Sequence, residues 1–180
     1  DQLLRGRTGR TARRPREPSE RFLQHRLAVA DTHLALVAAG RSEQLEVVEC
    51  TVEPASWRRY TGASGSRLVL KSDLHTETGA GDDLVHAWFI EVDLGTESLP
   101  TLLRKARDYE AYRRSGVEQD RTGGFPVVIW TVTHRNPNKA EARRQALREA
   151  LANDHFLPPQ LFRVCAPEQL ISLLQRGGQQ

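Results

Sequence analysis

Residues 86 to 112 constrain this chain more than any other stretch: a hydrophobic strand, a tight turn and an amphipathic helix follow one another without a break. The strand runs from Val85 to Leu94. Side chains alternate across a strand, so Phe89, Glu91 and Asp93 share one face while Trp88, Ile90 and Val92 share the other. Two carboxylates on one face of an apolar strand are costly to bury unless a cation meets them. A divalent metal or a lysine is the obvious partner. Gly95 makes the turn. Thr96 or Ser98 caps the helix of residues 98 to 114, and Pro100 is tolerated in its first turn. Leu99, Leu102, Ala106 and Tyr109 recur at helical spacing as its buried stripe.

The remaining elements are read around this unit. Residues 1 to 18 are polar, basic and broken by Pro15 and Pro18, which predicts a linker or arm ahead of one domain over residues 19 to 180. Ser19 caps a helix to about Ala39, with Leu23, Leu27, Ala30, Leu34 and Val37 as its expected core stripe. His25 lies near that stripe, and a lone histidine there is most simply a satisfied edge residue. Residues 45 to 53 and 67 to 74 read as strands, and the polar run from His75 to Asp83 as a long turn. Residues 67 to 94 would then form a hairpin that brings Asp73 toward Glu91, with Lys71 on the same strand face as Asp73. Residues 117 to 124 read as a loop and 125 to 133 as a buried strand. Asn136 and Pro137 open a helix to about Ala152. A short strand at 161 to 165 and a helix at 167 to 175 close the chain. Helix, strand, strand, strand, helix, strand, then helix, strand, helix describes an α/β domain with a mixed central sheet and helices on both sides.

Charge is unevenly spread over the 180 residues. Six arginines lie in residues 1 to 17, among them Arg13 and Arg14, giving that segment +4 against +3 for the whole chain. The arm therefore reads as a phosphate-contacting tail or a solvated linker. Trp57, Arg58 and Arg59 could stack on bases and hold phosphates. Their simpler reading is a tryptophan covering a sheet edge beside two solvated arginines. Cys50 and Cys165 lie in apolar strands and in no metal-ligand spacing, which suggests free buried thiols and a cytoplasmic protein. No apolar run approaches the ~20 residues of a membrane span.

On these residues the chain resembles the PD-(D/E)xK nuclease-like superfamily, whose core is a restriction-endonuclease-like αβββαβ unit. The resemblance implies that Asp73, in Leu70-Lys71-Ser72-Asp73, is the first acid and Glu91 the second. Asp93 stands where the superfamily has lysine. Lys105 and Tyr109 match the i, i+4 spacing of a helical motif in exonuclease members, so Lys105 would supply the missing ammonium and Lys71 is its competitor. The C-terminal helix, strand and helix would be an extension of that core. More closely, the chain resembles the bacterial replication-relaxation family of plasmids and mobile elements. The carrying segments are Glu17 to Asp31, the Leu70 to Asp73 acid, Trp88 to Ser98 and Leu103 to Tyr109. That resemblance implies DNA as partner, with replication or conjugation proteins besides, and an upstream winged-helix domain missing from this chain, which begins at Asp1 rather than methionine.

The expected chemistry follows. Asp73, Glu91 and Asp93 would hold Mg²⁺ or Mn²⁺ through oxygen ligands, activating water against a phosphodiester. Lys105, with Tyr109 beside it, would orient that water or stabilise charge on phosphorus. Arg13, Arg14, Trp57, Arg58, Arg59 and Lys71 are the candidate DNA contacts. The competing readings are a nuclease-like DNA-binding or replication-accessory module with salt-bridged acids, and a protein-interaction domain. Fold analogy does not choose among the three.

Overall fold

The computed structural model describes residues 18 to 81 and 84 to 179. Five strands form the central sheet in the order β1 (Val47–Val52), β4 (Leu74–Gly79), β5 (Val85–Asp93), β6 (Val127–Val132) and β7 (Phe162–Cys165). The first three run antiparallel to their neighbours, while β5, β6 and β7 are mutually parallel. Between β1 and β4 the chain makes a separate two-stranded hairpin, β2 (Arg58–Thr61) and β3 (Arg67–Leu70). The helices are α1 (Glu20–Arg41), α2 (Leu99–Ser115), the short α3 (Val117–Thr122), α4 (Pro137–Asn153) and α5 (Leu170–Gln175).

Two apolar layers hold the sheet. On one face Phe89, Tyr109, Tyr112, Trp130 and Leu147 pack together with Leu70 of the hairpin, which puts α2, α4 and β3 on that side. On the other face Trp88, Ile90 and Val92 meet Val29 and Leu36 of α1 and Leu173 of α5. The alternation expected along β5 is thus the division between the two cores, and β5 is buried from Trp88 to Asp93. Caps fix the helix starts: Ser98 accepts from Thr101 N–H at 3.3 Å, and Asn136 accepts from Asn138 N–H at 3.0 Å. Gly95 turns the chain between β5 and α2 with φ +74°, where an added Cβ would lie 2.8 Å from His134. Only glycine fits both conditions.

Three sequence expectations are corrected. The second strand of the sheet is β4, over the stretch that reads as a turn, and residues 67 to 70 belong to the side hairpin. His75, Thr76 and Thr78 are all buried there, so polar residues fill interior positions and hide the strand's hydrophobic signal. The buried stripe of α1 is Val29, Leu36 and Ala39, whereas Leu23, Leu27 and Leu34 of the expected stripe face outward. This helix is apolar over most of its circumference, so periodicity admits either face. Residues 117 to 122 form α3 rather than a loop, because the buried Glu118 ties them to Arg58, Tyr112 and Arg121. The last helix opens with a 3₁₀ turn at Pro167–Gln169 before α5. Both cysteines are free.

Candidate functional site

The register of the sheet sets the site. Leu74 of β4 pairs with Ile90 of β5, so Asp73, immediately before β4, stands opposite Glu91 on the face covered by α2. Both acids line a cavity of about 280 Å³ near the carboxyl end of β5, together with His25, Asp93, Lys105 and Arg21. Pockets of open α/β sheets form at this end of parallel strands, where the connections leave the sheet.

Glu91 is 2 % exposed and both of its oxygens have a donor. Lys105 Nζ donates to one and the Tyr109 hydroxyl to the other. The i, i+4 spacing on α2 delivers the two side chains together, and Lys105 reaches back along the helix toward the strand end. Burial drives the Glu91 carboxyl well above the ordinary range while Lys105 opposes it. Burial also works against the Lys105 charge, but Glu91 and Asp73 outweigh it and hold the ammonium above the usual lysine range. The Lys105 ammonium has no acceptor to offer, so it favours the carboxylate form of Glu91 against the effect of burial. Burial and the adjacent Glu91 likewise keep the Tyr109 phenol protonated.

Asp73 is fixed from two sides. Its Oδ2 accepts from Val92 N–H at 2.8 Å and lies 3.3 Å from His25 Nε2. That nitrogen also lies 3.1 Å from the Val92 carbonyl. A carbonyl only accepts, so His25 Nε2 carries a proton. Burial opposes the Asp73 charge, yet His25, Lys105 and the Val92 N–H together hold its carboxyl below the usual range. The hydrogen bond to Asp73 in turn raises His25 above 6.5, against the effect of burial.

Asp93 is committed elsewhere. Arg143 of α4 clasps it with two guanidinium nitrogens, and Gly95 N–H donates to Oδ1 at 3.0 Å. Among the described residues, Asp73, Glu91 and Asp93 do not form a trio with ligand atoms within 4.8 Å of one another. Lys71 is not at the acids either: its ammonium sits 4.8 Å from the centre of the Trp57 ring. Arg58 lies 5.4 Å above Phe89 and is ion-paired to Glu118, so it is neither solvated nor free for phosphate. Arg59 is exposed, and Arg13 and Arg14 lie outside the described residues.

The sequence therefore identifies Asp73, Glu91, Lys105 and Tyr109 as residues that the fold brings together. It undervalues His25 and misses Arg143 and Arg21, the last of which donates to the Thr96 carbonyl at the rim. The signal for His25 is its place on the inward face of α1, one turn before Val29.

The sheet and pocket together describe a mixed α/β protein with an acid and lysine site at a strand terminus. The chain belongs to the replication-relaxation family, whose model matches residues 1–128. The matched span includes His25, Asp73, Glu91, Asp93, Lys105 and Tyr109, and it ends before Arg143. No curated protein and no solved structure matches the chain. Among the described residues no helix is long and apolar enough to cross a membrane.

Proposed function

We propose that this protein processes DNA in the replication or transfer of a plasmid or mobile element, by metal-dependent nicking or cleavage of a phosphodiester. The observation that carries this reading is the ion pair of Lys105 with Glu91, opposite Asp73, in an open pocket. The order α1, β1, β4, β5, α2, β6, with β2 and β3 as an insertion, supports a restriction-endonuclease-like core that needs an ammonium at this point.

Two acids fit a hard dication and the third does not. Asp73 keeps Oδ1 free of a partner among the described residues, and Glu91 would share its oxygens with Lys105 and Tyr109. Asp93, held by Arg143, serves instead to anchor the turn at Gly95. Bound Mg²⁺ or Mn²⁺ would lower the pKa of a coordinated water and polarise the phosphoryl oxygens. Lys105 supplies the fixed positive charge where negative charge grows on phosphorus. His25 holds its proton toward Asp73, orienting that carboxylate, and Tyr109 holds Glu91 from beneath. Arg21 and the exposed Arg59, with the arginines of residues 1 to 17, are among the basic groups available to DNA phosphates.

The saturation of Glu91 and Asp93 by protein cations favours a second reading: a DNA-binding replication accessory that cuts nothing. Incubating supercoiled plasmid with the protein and Mn²⁺ or Mg²⁺ separates the two. The nuclease reading expects relaxed or linear product that disappears with EDTA and in Asp73→Asn and Glu91→Gln. Plasmid bound but left supercoiled by the folded wild-type protein would establish the accessory reading.

A further inference from the structure

A second constellation lies farther out on the same sheet face. Thr51 pairs with His75 and Glu49 with Glu77 across β1 and β4, so Glu49, His75 and Glu77 project to one side. A ring nitrogen of His75 and one carboxylate oxygen from each glutamate all lie within 4.8 Å of one another. Among the described residues this is the one trio of histidine, cysteine, aspartate or glutamate that meets such a limit.

Two independent features of this trio are unfavourable as they stand. His75 is 2 % exposed, and neither ring nitrogen has a hydrogen-bond partner. Buried polar groups are nearly always paired, and an unpaired one carries its full desolvation cost. Glu49 and Glu77 are directly opposed on antiparallel strands, where like charges repel. Neither has a side-chain ion pair among the described residues. Arg121 is close enough to Glu77 to feel its charge but is paired with Glu118. Phe89 closes the inner side of the imidazole, with ring centres 5.3 Å apart. The glutamates are the more open members, Glu49 being exposed and Glu77 half-buried.

A cation between the three side chains would give one His75 ring nitrogen a partner and offset the repulsion between the two carboxylates. A neutral imidazole has one bare nitrogen, which is a metal ligand, and the two carboxylates bring compensating charge. One nitrogen and two carboxylate oxygens suit Zn²⁺, Mn²⁺ or another first-row transition dication. Magnesium and calcium favour all-oxygen shells. We propose that Glu49, His75 and Glu77 form a transition-metal site, separate from the Asp73 and Glu91 pocket, that ties edge strand β1 to β4.

The test is calorimetric titration of the whole metal-stripped chain with Zn²⁺, alongside its melting temperature. The expected result is one ion per chain beyond any held in the Asp73 and Glu91 pocket, and a raised melting temperature, with no comparable rise from Mg²⁺. Glu49→Gln and Glu77→Gln change exposed or half-buried groups and keep the fold. Each should weaken binding by at least the roughly tenfold to hundredfold that even outer partners of metal ligands contribute. Asp73→Asn should leave this ion bound, which separates the site from the pocket. Absence of Zn²⁺ binding by the folded wild-type protein overturns the proposal. So does binding of this ion that survives both glutamine substitutions or is lost in Asp73→Asn.

Discussion

At Asp73 the competition between burial and hydrogen bonding is decided by His25. The imidazole gains a carboxylate on folding, so its midpoint lies above 6.5 in the native protein. Folding therefore favours the protonated ring. That contribution to stability is fully present below the unfolded midpoint and is lost as pH rises through the folded one. An NMR titration should show the His25 ring with a midpoint above 6.5 in the wild type. In Asp73→Asn the midpoint should fall, because burial then acts with less opposition. A wild-type midpoint at or below 6.5 would remove His25 from the site. Lys105 and Tyr109 were legible in the sequence because their i, i+4 spacing is local. His25 and Arg143 were not, since their partners come from distant elements: Arg143 is 50 residues from Asp93. No local pattern records such a meeting.

Among the elements, α3 has a role out of proportion to its six residues. Its Glu118 is fully buried and joins β2, α2 and α3 through Arg58, Tyr112 and Arg121. Removing one member of a buried ion pair costs about 3 kcal/mol or more, because the other charge is left without a partner. Glu118→Ala strands Arg58, whose side chain is only 13 % exposed. Its melting temperature should fall by roughly 6 to 12 °C for a chain of this size. Glu141→Ala, which removes surface pairs to Arg144 and Arg148, should leave the melting temperature nearly unchanged. Equal effects of the two substitutions would show that Glu118 is not a tie between elements. The strand and helix around Gly95 were legible because period two and period 3.6 follow each other cleanly there. The strand β4 was not, since the polar His75, Thr76 and Thr78 occupy its interior positions and leave no apolar period to read. Thr76 bonds the Glu49 carbonyl at 2.7 Å and Thr78 accepts from Trp88 at 2.9 Å.

The molecule as a whole pairs a nearly neutral domain with a strongly basic first segment, which carries +4 of a chain total of +3. For a protein that acts on DNA, most non-specific affinity would then come from that segment. Deleting residues 1 to 17 should flatten the dependence of DNA binding on salt, each lost phosphate contact removing about 0.9 from the logarithmic slope. An unchanged slope would move DNA contact onto the folded domain. The family match reaches from residue 1 to residue 128 and so takes in both the basic segment and the acid site.

Lys105, arriving from α2, is proposed to perform the task of the ammonium absent from β5. The most direct measurement is the rate of metal-dependent plasmid nicking by Lys105→Met beside Lys71→Met. Losing an electrostatic stabiliser of the transition state costs on the order of a hundredfold to a thousandfold in rate. Lys105→Met should show that loss while circular dichroism reports a folded chain. Lys105→Arg should recover little, because a planar guanidinium does not replace a compact ammonium. Lys71→Met, whose lysine rests on Trp57, should cut normally. Full activity in Lys105→Met, with the loss appearing in Lys71→Met, would assign the role to Lys71 instead.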